Sequence, residues 1–186
     1  MKKVIALTAI AVLLVGSVFA MDMSIGVKGI IGTNNSGING TAIGGGVDIT
    51  LDLYNGWGFR TGSDIITSKI SKDDGLTFTK DFNVNIPVMA WYDYNSKRFG
   101  IGGGLGLGCN IGSSVKFTLT AGLETRYNIN EQFSLFLGVN GNLDVFPTLT
   151  REDKGDSSSY KFVKSDFSKN NIYGSIGVRY NIDLSN

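Results

Sequence analysis

The sequence predicts an all-β protein, an eight-stranded antiparallel up-and-down transmembrane β-barrel that follows a cleaved signal peptide. Apolar and polar residues alternate strictly along several segments, which indicates strands because successive side chains point to opposite faces of a sheet. The longest segments keep this alternation for roughly the 9–11 residues that a tilted strand needs to cross a bilayer. The chain also has 26 Gly and only 2 Pro among 186 residues, which suits strands with one face of small side chains.

The N-terminus is typical of an export signal. Lys2 and Lys3 precede an apolar stretch at 4–15, and Ala20 ends a small-residue cleavage site before Met21. A membrane-anchor helix is the alternative, but a spanning helix needs about 20 apolar residues. We therefore expect a signal peptide at 1–20 and a barrel domain at 21–186.

Residues 116–145 form the clearest predicted hairpin. Apolar side chains occupy most of the alternate positions on each side of a short polar turn at 128–132, and Tyr127 and Phe133 flank that turn. The other six strands are predicted at 23–31, 42–53, 57–65, 78–92, 99–111 and 172–182.

The predicted connections alternate between tight turns and longer loops. Asn55-Gly56 is a strong tight-turn dipeptide. Aromatic residues cluster on the tight-turn side, as in the girdle at one rim of a membrane barrel: they are Tyr54, Trp57, Phe59, Tyr92, Phe99, Tyr127, Phe133 and Tyr180.

Alternation alone leaves open which face is outside. A soluble lipocalin-like barrel, a periplasmic ligand binder, would turn its apolar face inward. The polar face here consists mostly of Gly, Ser, Thr and Asn with isolated charges, which a narrow interior can hold. We therefore expect the apolar face to contact lipid, with Leu51, Leu105, Leu137 and Val139 near the middle of their strands.

The final strand, residues 175–182 (SIGVRYNI), has the pattern polar-x-Gly-x-x-apolar-x-apolar. With the strand pattern and topology, it resembles the small bacterial outer-membrane β-barrels of the OmpA/OmpX and OmpW kind. The resemblance implies a location in the cell outer membrane, with outer-membrane lipid and the outer-membrane assembly machinery as partners. The chain departs from that family by continuing through 183–186 instead of ending on an aromatic residue.

The composition argues against enzyme chemistry. The chain has no His, which removes the His-dependent triads used by several outer-membrane barrel enzymes. Carboxylates without His or clustered Cys offer only a weak oxygen site for a metal, and no helix follows the glycine runs at 44–46 and 102–104 to make a phosphate loop. We expect a protein that is not an enzyme and needs no cofactor.

Net charge gives no sign of a nucleic-acid partner. Removing Lys2 and Lys3 leaves 15 of the 17 basic residues against 16 acidic ones, a formal charge of −1, and no basic patch with interleaved aromatics is present.

Several charged residues fall on the inward face and are predicted to form a charge network in the lumen. The predicted members are Lys28, Asp48, Asp52, Arg60, Asp64, Glu124, Arg126 and Arg179. Placing Tyr54 opposite Gly58 sets Asp52 opposite Arg60 and Asp48 opposite Asp64. Two interpretations stay open: paired charges that fill the lumen, or a gated path for small solutes.

Two further registers follow from the predicted turns. Pairing Tyr127 with Phe133 sets Lys116 opposite Asp144. Pairing Tyr92 with Phe99 sets Trp91 against Gly100, where bulky side chains would lie over a groove of glycines. Pro87 lacks an N–H donor for the ladder, so we expect a local bulge there.

The connection at 146–170 is far longer than the usual ~4–6 residues, and such loops are usually functional or disordered. It lies opposite the aromatic turns, hence outside the cell in the usual orientation. Its candidate surface residues are Arg151, Glu152, Asp153, Lys154, Asp156, Tyr160 and Phe162. The alternation at 160–164 could extend a hairpin above the membrane and offer an edge for strand addition by an extracellular partner, or the loop could be a solvated tip without one.

Taken together, these features predict a non-enzymatic barrel that displays surface loops for envelope integrity, adhesion or binding. The alternative is a narrow porin-like channel or conduit for small solutes.

Overall fold

The structure is a computed structural model that describes residues 22–34, 40–68, 82–112, 114–154, 157–164 and 171–184. The predicted signal peptide at 1–20 lies outside these residues. The strands are β1 (Asp22–Asn34), β2 (Gly40–Tyr54), β3 (Trp57–Ser68), β4 (Phe82–Asn95), β5 (Phe99–Ile111), β6 (Ser114–Asn128), β7 (Phe133–Leu143), β8 (Thr148–Lys154), β9 (Ser157–Val163) and β10 (Asn171–Asp183).

Eight of these strands close into a barrel. Each pairs antiparallel with its neighbours in the order β5-β4-β3-β2-β1-β10-β7-β6, and β5 pairs with β6 to complete the circle. The predicted eight-stranded antiparallel barrel is confirmed. Strands β8 and β9 are additional, and they form a hairpin inside the connection that was predicted at 146–170. No helix in the described part of the chain is both long and apolar enough to span a membrane.

The barrel is apolar outside and polar inside. Leu105, Leu123 and Leu137 are 71%, 69% and 61% exposed, whereas charged and amide side chains are buried in the interior. This distribution is the reverse of a soluble protein and is favourable only when lipid surrounds the wall. The predicted orientation is therefore confirmed.

One predicted lipid contact is wrong. Leu51 is only 6% exposed, unlike Leu105, Leu137 and Val139. Its cross-strand neighbours on the same face are Met23 and Phe59. Leu51 shares the outward phase with these two residues, and because Met23 and Phe59 flank it on both sides, little of its own surface reaches the bilayer.

Aromatic residues ring the tight-turn end of the barrel. Three pairs join neighbouring strands through ring contacts, with centroids 5.0 Å apart for Trp57–Tyr92, 5.4 Å for Phe99–Tyr127 and 5.0 Å for Phe133–Tyr180. The side chain of Tyr54 lies outside the described part of the structure. These pairs form the girdle that the sequence predicted.

Hydrogen bonds tie each tight turn to the next strand. The amide of Asp93 donates to the carbonyl of Gly56 at 2.7 Å, that of Asn128 to Arg98 at 2.8 Å, and that of Asn181 to Gln132 at 2.7 Å. The turns therefore continue the ladder around the rim.

The β2–β3 register differs from the predicted one. Asn55 and Gly56 both have positive φ, 50° and 81°, as a two-residue type I′ turn requires. This turn pairs Tyr54 with Trp57, and a β-bulge at Leu53 then shifts the register. As a result Asp52 faces Gly58, Arg60 faces Thr50, Asp48 faces Gly62, and Asp64 faces Gly46.

Two more predicted registers are wrong, again because the turn determines how the two strands pair. Tyr92 pairs with Gly103, not Phe99, because β4 continues to Asn95 before a turn of only three residues. Tyr127 pairs with Leu135, two residues beyond the predicted partner. In both hairpins the turn geometry set the register.

Pro87 interrupts the ladder without a bulge. The β3–β4 pairs stop at Thr61↔Val88 and resume at Asp64↔Asn85 in the same register. The hydroxyl of Thr61 donates a 2.9 Å hydrogen bond to the carbonyl of Pro87. The missing proline N–H is therefore accommodated by a gap in the ladder, and the predicted bulge is wrong.

A charge on the outward face should destabilise the barrel. Replacing Leu137 with Arg is expected to cost about 2–4 kcal/mol in unfolding measured in lipid, since it places a guanidinium near the bilayer midplane. Ile129→Arg is the matched control, because Ile129 is 57% exposed in the β6–β7 turn at the rim. Equal stabilities for the two variants would contradict a lipid-facing wall.

Candidate functional site: the charged barrel interior

Charged side chains from six strands meet inside the barrel. All occupy inward positions of the alternation, and each is at most 8% exposed by residue or by side chain. We call this set the interior charge network: Lys28 on β1, Asp48 on β2, Arg60 and Asp64 on β3, Asp93 on β4, Glu124 and Arg126 on β6, and Arg179 on β10.

Glu124 lies at the centre of this network. Arg60 donates to both of its carboxylate oxygens, with Nη1–Oε2 at 2.9 Å and Nη2–Oε1 at 3.3 Å. Arg179 also reaches both oxygens, through Nη2–Oε2 at 3.0 Å and a contact of Nη1 with Oε1. Arg126 lies near the same carboxylate, with Nε 3.7 Å from Oε1. The two forked charge-assisted contacts, from Arg60 and from Arg179, fix the side chains of both arginines and of Glu124.

A chain of alternating charges runs from Arg179 across the barrel. Its Nη2 lies 2.8 Å from Oδ1 of Asp48. Lys28 Nζ is 3.9 Å from Asp48 Oδ2 and 2.8 Å from Asp64 Oδ1. The close pairing of Lys28 is therefore with Asp64, and Asp48 is neutralised mainly by Arg179.

Arg126 closes the network toward the tight turns. Its Nη2 lies 2.8 Å from Asp93 Oδ1 and donates a 3.0 Å hydrogen bond to Asn95 Oδ1. Four cations and four carboxylates thus balance one another in the network. This balance of charge matters because a buried charge without a partner would lower the stability of the fold by several kcal/mol.

Aromatic rings cover both central guanidiniums. The Arg60 guanidinium carbon lies 3.4 Å from the centroid of the Trp91 ring, and that of Arg179 lies 4.7 Å from the Phe136 ring. Such stacking stabilises a cation that has lost its water.

Trp91 fits only because its neighbours are glycines. A Cβ at Gly104 would lie 2.6 Å from the Trp91 ring, one at Gly102 2.8 Å from its Nε1, and one at Gly122 3.2 Å from the ring. The glycine groove was predicted, but Trp91 pairs with Gly104 and not with Gly100.

A neutral polar layer fills the interior nearer the long loops. The hydroxyl oxygen of Tyr173 accepts hydrogen bonds from Asn85 at 3.0 Å and from Asn142 at 3.2 Å. Thr120 donates to Asn142 Oδ1 at 3.0 Å. Beyond this layer Lys116 pairs with Asp144 at 3.2 Å, although the β6–β7 ladder does not set them directly opposite.

Part of this interior is not predicted from the sequence. Asp93 falls in the turn after the predicted strand at 78–92, and Asn85, Asn142 and Tyr173 have no predicted role. Each follows the inward phase of its strand, which was the available signal. What the alternation could not show is which of these side chains meet across the barrel.

Asp52 is the one predicted member that does not join the network. The structure places no bond between Asp52 and Arg60, and its Oδ1 is buried without a hydrogen-bond partner. Cross-strand pairing sets Asp22 between Asp52 and Asp183. Asp52 therefore belongs to an acidic rim at the tight-turn end.

The predicted surface residues lie on the added hairpin. Arg151, Glu152, Asp153 and Lys154 are on β8, Tyr160 and Phe162 are on β9, and Asp156 is outside the described residues. Among these seven, only the side chain of Phe162 is described, and it is 70% exposed. The hairpin joins the barrel through Ser114↔Thr150 and Val115↔Leu149.

Comparison with solved structures identifies the architecture. Neisserial surface protein A superposes with a TM-score of 0.57 at 11% identity, covering 88% of this chain and 96% of that one. OprG from Pseudomonas aeruginosa superposes at 0.56 with 14% identity, covering 89% and 97%. The fold is that of the small outer-membrane β-barrels. The lipid-facing exterior agrees with a location in the bacterial outer membrane.

The attachment invasion locus protein Ail of Yersinia pestis, in complex with the heparin analogue sucrose octasulfate, is also similar. Its TM-score is 0.50 at 14% identity, covering 87% of this chain and 97% of that one. No protein-family model matches the sequence, and no curated protein matches it. The similarity therefore concerns the fold.

A double-mutant cycle tests the central carboxylate. Glu124→Gln should destabilise the barrel by about 3–5 kcal/mol, because it leaves two buried arginines without their carboxylate. Arg60→Met should cost less, because Glu124 keeps its contacts with Arg179. The double variant should be less destabilised than the sum, with a coupling of about 0.5–3 kcal/mol in unfolding measured in detergent.

The matched control is the cycle Asp52→Asn with Arg60→Met. Arg60 is common to both cycles, but Asp52 does not contact it. Coupling between Asp52 and Arg60, with none between Glu124 and Arg60, would restore the register predicted from sequence and contradict this network.

Proposed function

We propose that this protein is a non-enzymatic outer-membrane barrel that presents the β8–β9 hairpin at the cell surface for binding or adhesion. The observation that carries the proposal is the free edge of β9. In the described part of the chain β9 pairs only with β8, so the backbone groups on its other side have no strand beside them.

A free strand edge can accept an extended segment of another protein through main-chain hydrogen bonds. Proteins usually protect long edges because they promote association. This one spans Ser157–Val163 and is followed by the exposed Lys164, the kind of charge that limits indiscriminate edge pairing. The edge therefore suits a specific partner better than indiscriminate pairing.

The packed interior supports a display role over a transport role. Trp91, Arg179, Asn85, Asn142, Thr50 and Thr118 are all at most 2% exposed within the barrel. A conducting path would have to separate the charge pairs around Glu124. The alternative function, a narrow channel or conduit for small solutes, needs a rearrangement of this network.

The same interior supports a non-enzymatic role. The four carboxylates of the interior charge network are each paired with arginine or lysine. The chain also has no His to act as a base. The complex of Ail with a heparin analogue supports binding as a role for a barrel of this fold.

Surface labelling tests the topology. Cys109 is the single cysteine of the sequence, so Cys109→Ser removes the background reaction with a thiol label. In that background Lys161→Cys on β9 should react with a membrane-impermeable maleimide on intact cells. Lys97→Cys, in the β4–β5 turn at the opposite end, should react only after the outer membrane is opened. Both positions are exposed in the structure, so accessibility alone does not separate them. The reverse labelling pattern would place the hairpin in the periplasm and end the display proposal.

Deleting residues 151–164 tests the role of the hairpin. The barrel should still fold and keep its migration shift on unboiled gels, because its eight-strand closure does not include β8 or β9. A non-adherent bacterial strain that expresses the full protein should adhere, and the same strain that expresses the deletion variant should adhere no more than with the empty vector. Full adhesion by the folded deletion variant would contradict a binding role for this hairpin.

A further inference from the structure

One row of apolar side chains crosses two barrel strands and the two strands of the added hairpin. Ile111 on β5 pairs with Val115 on β6, Val115 pairs with Leu149 on β8, and Leu149 pairs with Phe162 on β9. Residues directly opposite in neighbouring strands project from the same face. The four side chains therefore form one continuous row, which we call the apolar row.

The apolar row continues the lipid-facing wall. Ile111 is in the outward phase of β5 with Leu105 and Leu107, which are 71% and 57% exposed. Ile111 and Phe162, at the two ends of the row, are 41% and 70% exposed. The face that contacts acyl chains on the barrel thus extends without interruption onto the hairpin.

The row begins at the edge of the hydrocarbon layer. Strand β5 has 13 residues between Phe99, in the aromatic girdle, and Ile111. With ~3.4 Å per residue and a tilt of ~35–45°, this strand rises about 30 Å. The apolar band of such barrels is about 25 Å tall, so Ile111 reaches the headgroup layer and the row leads onward from there.

We propose that the outward face of the β8–β9 hairpin docks onto the anionic headgroup layer of the outer leaflet, with Phe162 as its apolar anchor and Lys164 as its cation. Lys164 lies two residues beyond Phe162 and is exposed. Aromatic and basic side chains together are the combination that binds a membrane interface, and the attraction grows with anionic lipid. The inference rests on the proposed outer-membrane display, and it deepens that function: a hairpin held against the membrane keeps the β9 edge at a fixed height.

Fluorescence quenching in bilayers tests this docking. In a Cys109→Ser background an environment-sensitive probe is attached at Phe162→Cys or at Val163→Cys. Val163 is the matched control, because it is the next residue on β9, points to the opposite face, and is 46% exposed. Nanodiscs that hold one copy of the protein in phosphatidylglycerol mixed with phosphatidylcholine provide the membrane.

The probe at 162 should lose quenching by aqueous iodide and gain quenching by lipids spin-labelled at the headgroup. The probe at 163 should behave in the opposite way. Equal iodide quenching at 162 and 163 would overturn the proposal. Shielding of the probe at 162 that appears only in vesicles with several copies of the protein would also overturn the proposal. In that case a second copy of this chain, and not lipid, would cover the outward face of the hairpin.

The charged part is tested by lipid composition. Shielding of the probe at 162 from iodide should weaken when phosphatidylglycerol is omitted. Lys164→Gln should weaken this shielding by the same amount in the anionic nanodiscs. In zwitterionic nanodiscs Lys164→Gln should have no further effect. Shielding that is identical in both lipids would overturn the role of Lys164. If the hairpin deletion loses adhesion but the probe at 162 is not shielded by lipid, the proposed display function holds and the proposed docking is wrong.

Discussion

The interior of this barrel depends on one carboxylate. Glu124 holds two arginines from strands that are not neighbours, Arg60 on β3 and Arg179 on β10, and a third guanidinium lies close to it. Because these side chains are buried, none of their charges is tolerable alone. The positions of Trp91 and Phe136 follow from it, since each ring covers one of the two guanidiniums that Glu124 fixes.

The glycine strand is the geometric counterpart of this charge pairing. Strand β5 brings almost no side chains inward, and that space is filled by Trp91 from β4. A residue with a side chain at Gly104 would displace the Trp91 ring and, with it, the cover over Arg60. The outward face of the same strand carries the most exposed leucine of the wall, Leu105. One strand therefore serves the packed interior on one side and the bilayer on the other.

Alternation predicted the eight barrel strands, the inside-out orientation and most of the inward charges, because the phase of each side chain can be read from the sequence. It did not predict Asp93. It could not predict which charges meet. That depends on register, and register here is set by backbone details: the bulge at Leu53, the three-residue turn after Asn95, and the gap at Pro87. A shift of two residues replaced the predicted Asp52–Arg60 pair with Glu124–Arg60, which joins strands that are not neighbours. The apolar row from Ile111 to Phe162 could not be predicted from the sequence either, since it depends on the pairing of β6 with β8.

Planar-bilayer conductance tests most directly the claim that the charge pairs around Glu124 fill the barrel. The folded wild-type protein should add no sustained current to that of the bare bilayer, because the paired side chains around Glu124 are buried in the lumen. The variant Trp91→Ala with Arg60→Ala, which removes two large interior side chains, should conduct and shows that the assay detects an open barrel. Steady single-channel currents from the wild-type protein would contradict this account and favour the transport function.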